Sequence, residues 1–129
     1  MLSFKIPESV LVVIYTPELD VLLIERAQTP GFWQSVTGAK DCLAESFEDA
    51  AVREVREETG LDARAPGHRL SDWGIENIYD IYPQWRHRYA PGVVFNKVRV
   101  FGLRIPARCM VQLNPREHTA QAWLPRVEA

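Results

Sequence analysis

Three glutamates, Glu54, Glu57 and Glu58, fall within five consecutive positions. On a helix turning about 100° per residue they continue a stripe that starts with Phe47, Ala50 and Ala51 and ends with Leu61. The spacing i, i+3, i+4, i+7 and onward is that of a core-facing seam. The first half of this seam is apolar and the second half is carboxylate, where a plain amphipathic helix would carry leucine or valine. Buried carboxylates are costly unless paired or bound to a cation. Three together also repel, which drives each toward protonation unless positive charge restores the ionised form. Hard oxygen donors from so short a stretch suit magnesium, which keeps several waters and shares phosphate oxygens. The expected ligand is therefore a divalent metal together with phosphate. A charge run alone suits a solvated helix end equally well; the seam position favours the metal. Arg53 and Arg56 lie off the stripe, where they can flank the acids.

The helix that must hold these acids is expected over about residues 47–59. Ser46 is placed to cap its N-terminus, with Asp49 at the capping-box position, and Gly60 is placed to stop it in a left-handed conformation. Before it, residues 9–15 read as a buried strand, 16–20 as a turn and 21–26 as the returning strand of a hairpin. Thr29-Pro30-Gly31 breaks the chain, and residues 32–38 form a short extended piece ending at a glycine. After the helix, residues 70–82 and 93–105 read as long strands. Weaker strands are expected at 111–113 and 121–124. No linker divides the chain, so residues 1–129 are expected to form one mixed α/β domain.

Composition narrows the function classes. The 129 residues carry a formal net charge of −2, which gives no overall basic field for nucleic acid. A polyanionic substrate must then be held by local cations, by metal or by both. Cys42 and Cys109 have neither zinc-ligand spacing nor a disulfide framework, which points to a reduced, cytoplasmic setting. The longest apolar run, residues 10–15, is too short to span a bilayer, and the N-terminus does not read as a signal peptide.

Arg53-Glu54-Val55-Arg56-Glu57-Glu58-Thr59-Gly60-Leu61, with Glu45 eight residues before Arg53, resembles the Nudix box. The resemblance implies an α/β/α sandwich built on a mixed β-sheet, and a hydrolase acting on phosphoric anhydrides. It implies that Glu54 and Glu58 bind a divalent ion, magnesium or manganese, with Glu57 close by. Arg53 would hold Glu45 and orient the glutamates. Glu54 or Glu117 would accept the proton of the attacking water, Glu117 serving also as a metal ligand; as a loop acid Glu117 is equally suited to a solvated role. One departure stands out. The family places five residues between its glycine and first glutamate, whereas six, residues 39–44, separate Gly38 from Glu45. Either the loop bulges or Ala39 takes the place of the glycine.

Residues 32–38 and 86–92, with Glu117-His118 and Trp123-Leu124, resemble the bacterial branch of the family that converts dihydroneopterin triphosphate to its monophosphate in folate synthesis. For such a substrate, Trp33 or Tyr89 can stack on a flat pterin, and Arg26, Arg86 or Arg88 can meet the triphosphate through charge-assisted hydrogen bonds. Trp33 is also suited to core packing. Two other readings stay open: hydrolysis of ordinary or oxidised nucleoside triphosphates, and a non-catalytic binding domain. Retention of Glu45, Glu54, Glu57 and Glu58 weighs against the latter. The expected partner is a small phosphorylated molecule, with no nucleic acid and no membrane. The sequence stops five residues after Leu124, where the family continues into a C-terminal helix. That helix is either absent or outside this sequence; its absence would leave one sheet face less covered and allow a weak homodimer as well as a monomer.

Overall fold

The computed structural model describes residues 4–113 and 118–125. Strand β1 (Glu8–Tyr15) is followed by β2 (Asp20–Arg26), β3 (Trp33–Gln34) and β4 (Val36–Ala39). Helix α1 (Phe47–Thr59) precedes the long β5 (Arg69–Asp80), a 3-10 turn (Pro83–Arg88), β6 (Phe95–Arg104) and β7 (His118–Pro125). The strands join in one seven-stranded sheet whose main path is β3-β2-β1-β6-β5. β1 and β6 run parallel and the other pairs antiparallel, so the sheet is mixed, as expected. Among the described residues α1 is the α-helix, and none is long and apolar enough to cross a membrane.

Alternation fixes which face of β1 is buried. Val10, Val12 and Ile14 are at most 1% exposed and meet Leu22 and Ile24 of β2 and Phe101 and Leu103 of β6 in one core. Ala50, Ala51 and Val55 bring α1 onto that core. Two alanines in succession leave little side chain between helix and sheet, so the turn that follows is held close to β1 and β4. Truncating a side chain such as Leu103 to alanine would cost about 2–5 kcal/mol.

β1 changes partner along one of its edges. Tyr15 pairs with Val21 of β2 at one end, whereas Ser9 to Val12 pair with Ala39 to Val36 of β4 at the other. The sheet thus forks, with β2 carrying β3 and β7 on one prong and β4 standing on the other.

The strand expected at 111–113 is not formed. Val111 instead donates its N–H to Gln121 Oε1 (2.9 Å) and accepts from Gln121 Nε2 (2.8 Å), while Gln112 donates to the Thr59 carbonyl (2.9 Å). A side-chain amide and the end of α1 satisfy the backbone groups that a ladder would otherwise have to.

Candidate active site

Local sequence rules set the ends of α1. Ser46 has extended backbone angles (φ −71°, ψ 157°), and its Oγ accepts from the Asp49 N–H at 3.0 Å. Gly60 adopts φ 76° and donates to the Arg56 carbonyl at 2.9 Å. Between these caps the seam delivers Glu54 and Glu58 to buried positions, 8% and 5% exposed. The sequence stripe placed Glu57 with them, but its side chain is 55% exposed. Val55 and Thr59, outside the stripe, are buried instead, so the packed face is rotated toward them.

Arg53 is the hub of the site. Its Nε and Nη2 clasp Glu45 at 2.9 and 3.0 Å, and Nη2 also donates to the Ala39 carbonyl at 2.9 Å. Nη1 donates to Glu54 at 2.8 Å and to Glu57 at 3.3 Å. One planar fork therefore ties the loop, the end of β4 and two acids of α1 together, a geometry that lysine cannot supply. The hydrogen bond from Arg53 holds the Glu45 carboxyl below the ordinary glutamate range, helped by the Asp41 N–H, which donates to it at 2.8 Å. In return, Glu45 first and Glu54 next stabilise the Arg53 cation further. Arg56 is exposed to solvent.

The longer glycine-to-glutamate loop leaves Gly38 in place. Gly38 pairs with Val10 in the β1–β4 ladder, and its Cα face lies against the Glu54 carboxylate so closely that no Cβ would fit. Ala39 contributes its carbonyl to Arg53. The extra residue is taken up beyond β4, where Glu45 N–H donates to the Cys42 carbonyl at 3.1 Å and closes a turn.

A cavity of about 440 Å³ opens at the fork. Glu54, Glu57 and Glu58 form its acidic wall. Ser9, Thr37 and Asn96 offer neutral polar groups from the sheet, and Ser9 Oγ and Asn96 lie within hydrogen-bond reach of each other (3.1 Å). Lys5 and Arg26 supply positive charge, and the buried His118 of β7, paired in register with Arg26, closes one side. A second cavity, of about 580 Å³, lies by Pro17, His68 and Arg104 and carries no acid.

Among the substrate residues expected from sequence, Arg26 lines the acidic cavity, whereas Trp33, Arg88 and Tyr89 do not. Trp33 stands 39% exposed across from Glu25, so it is not a core residue. Tyr89 is buried beneath the Lys5 ammonium, which lies 5.8 Å from its ring centroid. Arg88 lies 6.0 Å from the ring centroid of Trp85. Arg86 donates to the Ile81 carbonyl at 3.1 Å. Glu117 lies outside the described residues. Lys5, Ser9 and Asn96 were not singled out from sequence, and His118 entered only through the Glu117-His118 resemblance. Only His118, next to an expected acid, carried any signal.

Among the described residues no three histidine, cysteine, aspartate or glutamate side chains are drawn together as a ready-made metal cage. The donor chemistry nevertheless fits a hard divalent cation. The wall is made of carboxylates, and magnesium characteristically takes one or two of them, completing its shell with water and substrate oxygens.

The NUDIX domain model matches residues 5–129. The dihydroneopterin triphosphate diphosphatase of Escherichia coli K12 is 40% identical over 122 residues, covering 94% of this chain and 79% of that protein. The dihydroneopterin triphosphate diphosphatase of Haemophilus influenzae is 34% identical over 130 residues, covering 100% of this chain and 80% of that protein. The solved E. coli dihydroneopterin triphosphate pyrophosphohydrolase superposes with a TM-score of 0.81 at 40% identity, covering 94% of this chain and 82% of that one.

Proposed function

The chain belongs to the NUDIX family, and we propose that it is a magnesium-dependent pyrophosphohydrolase that converts dihydroneopterin triphosphate to the monophosphate and pyrophosphate. The observation that carries the substrate is the 40% identity to an enzyme of that name across 94% of this chain. Enzymes of this family generally use divalent cations. The single sheet formed by the described strands supports treating residues 1–129 as one catalytic domain.

Each residue has a distinct task in this reading. Glu54 and Glu58 hold the ion from the buried wall, and Glu57 contributes from its exposed edge. When bound, the ion polarises phosphoryl oxygens and lowers the pKa of water. Arg53 and Glu45 are positioning residues. Their clasp fixes the carboxylate of Glu54 against β4, so that its orientation is set before substrate arrives. Arg26 meets the phosphates. A water attacks a phosphorus of the anhydride linkage, the P–O bond opposite it breaks, and the water's proton passes to Glu54 or Glu117. Trp33, Tyr89 and Arg88 stand outside the cavity walls, so any contact they make with the pterin requires the substrate to extend beyond them.

The test is the rate of pyrophosphate release from dihydroneopterin triphosphate and from the common nucleoside triphosphates, with magnesium and with chelator. Magnesium-dependent release favouring the pterin is expected. Release favouring a nucleotide would overturn the substrate and keep the chemistry.

A further inference from the structure

Lys40 follows directly on β4 and is buried, although a lysine seldom leaves the surface unless it is paired. Its partners come from two other elements. The ammonium is ion-paired to Glu8 Oε1 at the start of β1, and it lies 4.0 Å from the ring centroid of Phe47, the first residue of α1. The backbone N–H of Lys40 donates to the Glu8 carbonyl at 2.9 Å. One residue thus joins the end of β4 to the starts of β1 and α1.

The residues on either side of Lys40 hold the site. The Ala39 carbonyl accepts from Arg53 Nη2 at 2.9 Å, and the Asp41 N–H donates to Glu45 Oε1 at 2.8 Å. Both contacts end on the Arg53–Glu45 clasp, and Arg53 Nη1 carries that clasp on to Glu54 at 2.8 Å. The charge of Lys40 acts in the same sense. After the Arg53 hydrogen bond and the Asp41 N–H, it helps to hold the Glu45 carboxyl below its ordinary range. The loop from here to Glu45 is one residue longer than the family pattern. A longer loop has more conformations to lose, so an anchor at its start matters more.

We propose that Lys40 is a positioning residue: clamped between Glu8 and Phe47, it pins residues 39–41, and through the Arg53–Glu45 clasp it sets the carboxylate of Glu54 for the cation. The inference deepens the function proposed above and rests on it for the cation that Glu54 and Glu58 hold.

The test has two readouts, the Arg53 Nε–H signal in nuclear magnetic resonance spectra of the metal-free chain and calorimetric titration with manganese. The variants are Lys40→Met, which keeps the side-chain length and removes the charge, Lys40→Arg and Glu8→Gln. Arg99→Gln is the control, because it breaks ion pairs with Asp72 and Glu76 outside the cavity walls. Melting curves verify each fold. Lys40→Met is expected to shift the Arg53 signal and to weaken manganese binding by about tenfold, the scale of losing a group that orients a metal ligand. Turnover of dihydroneopterin triphosphate should show a lower kcat with KM little changed. Lys40→Arg should restore most of the affinity, Glu8→Gln should lower it, and Arg99→Gln should match wild type in both readouts. An unmoved Arg53 signal with wild-type manganese affinity in folded Lys40→Met, or in Glu8→Gln where Lys40→Met does not fold, would overturn the positioning role. An equal loss in Arg99→Gln would overturn it too. A wild-type chain that binds no manganese, with the Arg53 signal still shifted in Lys40→Met, would overturn the metal wall and leave the positioning role standing.

Discussion

The carboxylate of Glu54 occupies the space that a side chain at residue 38 would fill: a Cβ on Gly38 would lie 2.1 Å from Glu54 Cδ. The backbone of β4 and a buried acid of α1 are therefore in contact only because residue 38 is glycine. Gly38→Ala must push the carboxylate away while leaving the strand paired, since the obstructing atoms are the end of a side chain. Turnover is expected to fall by about a hundredfold, the scale of an ångström-sized misplacement, with a melting temperature within a few degrees of wild type. An alanine variant with full turnover would show that the position of Glu54 does not matter to the reaction.

Glu54→Gln and Glu58→Gln each keep the shape of the buried side chain and remove its charge. Both variants are expected to fold, with unchanged circular dichroism, and to lose turnover by orders of magnitude because the cation-binding wall is weakened. Near-normal turnover in either would remove that residue from the metal site.

Glu45 links stability to acid. Arg53 holds its folded-state pKa below the unfolded value, so the stabilisation is complete above about pH 5 and is lost as the pH falls through the folded pKa. Glu45→Gln should therefore lower the melting temperature at neutral pH, and the gap from wild type should close as the pH is taken down toward about 3. A gap that stays constant over that range would show that the charge of Glu45 contributes nothing.

Metal removal should separate activity from folding. Arg53 already supplies a counter-charge to Glu45, Glu54 and Glu57. Chelator is expected to abolish hydrolysis while the melting temperature falls by only a few degrees. Collapse of the fold in chelator would mean that the glutamate wall depends on the metal for its stability.

Much of this arrangement was legible in the sequence because it depends on local rules. The Ser46 cap, the Gly60 stop and the helical period together place Glu54 and Glu58 on a buried face, and each follows from residues a few positions apart. What escaped was set at long range. The period treats Glu57 and Val55 by position on a wheel, but the sheet that packs against α1 buries Val55 and leaves Glu57 out. Residues 111–113 look like a strand until Gln121, ten positions beyond Val111, takes the hydrogen bonds of Val111. Lys5 has no local pattern at all. Its place in the cavity depends on a carbonyl 83 residues away, at Arg88, that holds its backbone.

The fork in the sheet makes the cavity a joint between two prongs that share β1 but do not pair with each other. A ligand seated there, touching Gly38 on one prong and Arg26 on the other, becomes a bridge across an opening that backbone hydrogen bonds leave unclosed. Occupancy then acts as a removable rivet. The edges of β2 and β4 that face the gap gain slower amide exchange when substrate or product is bound, while the shared strand behind them, already laddered on both sides, stays as protected as before.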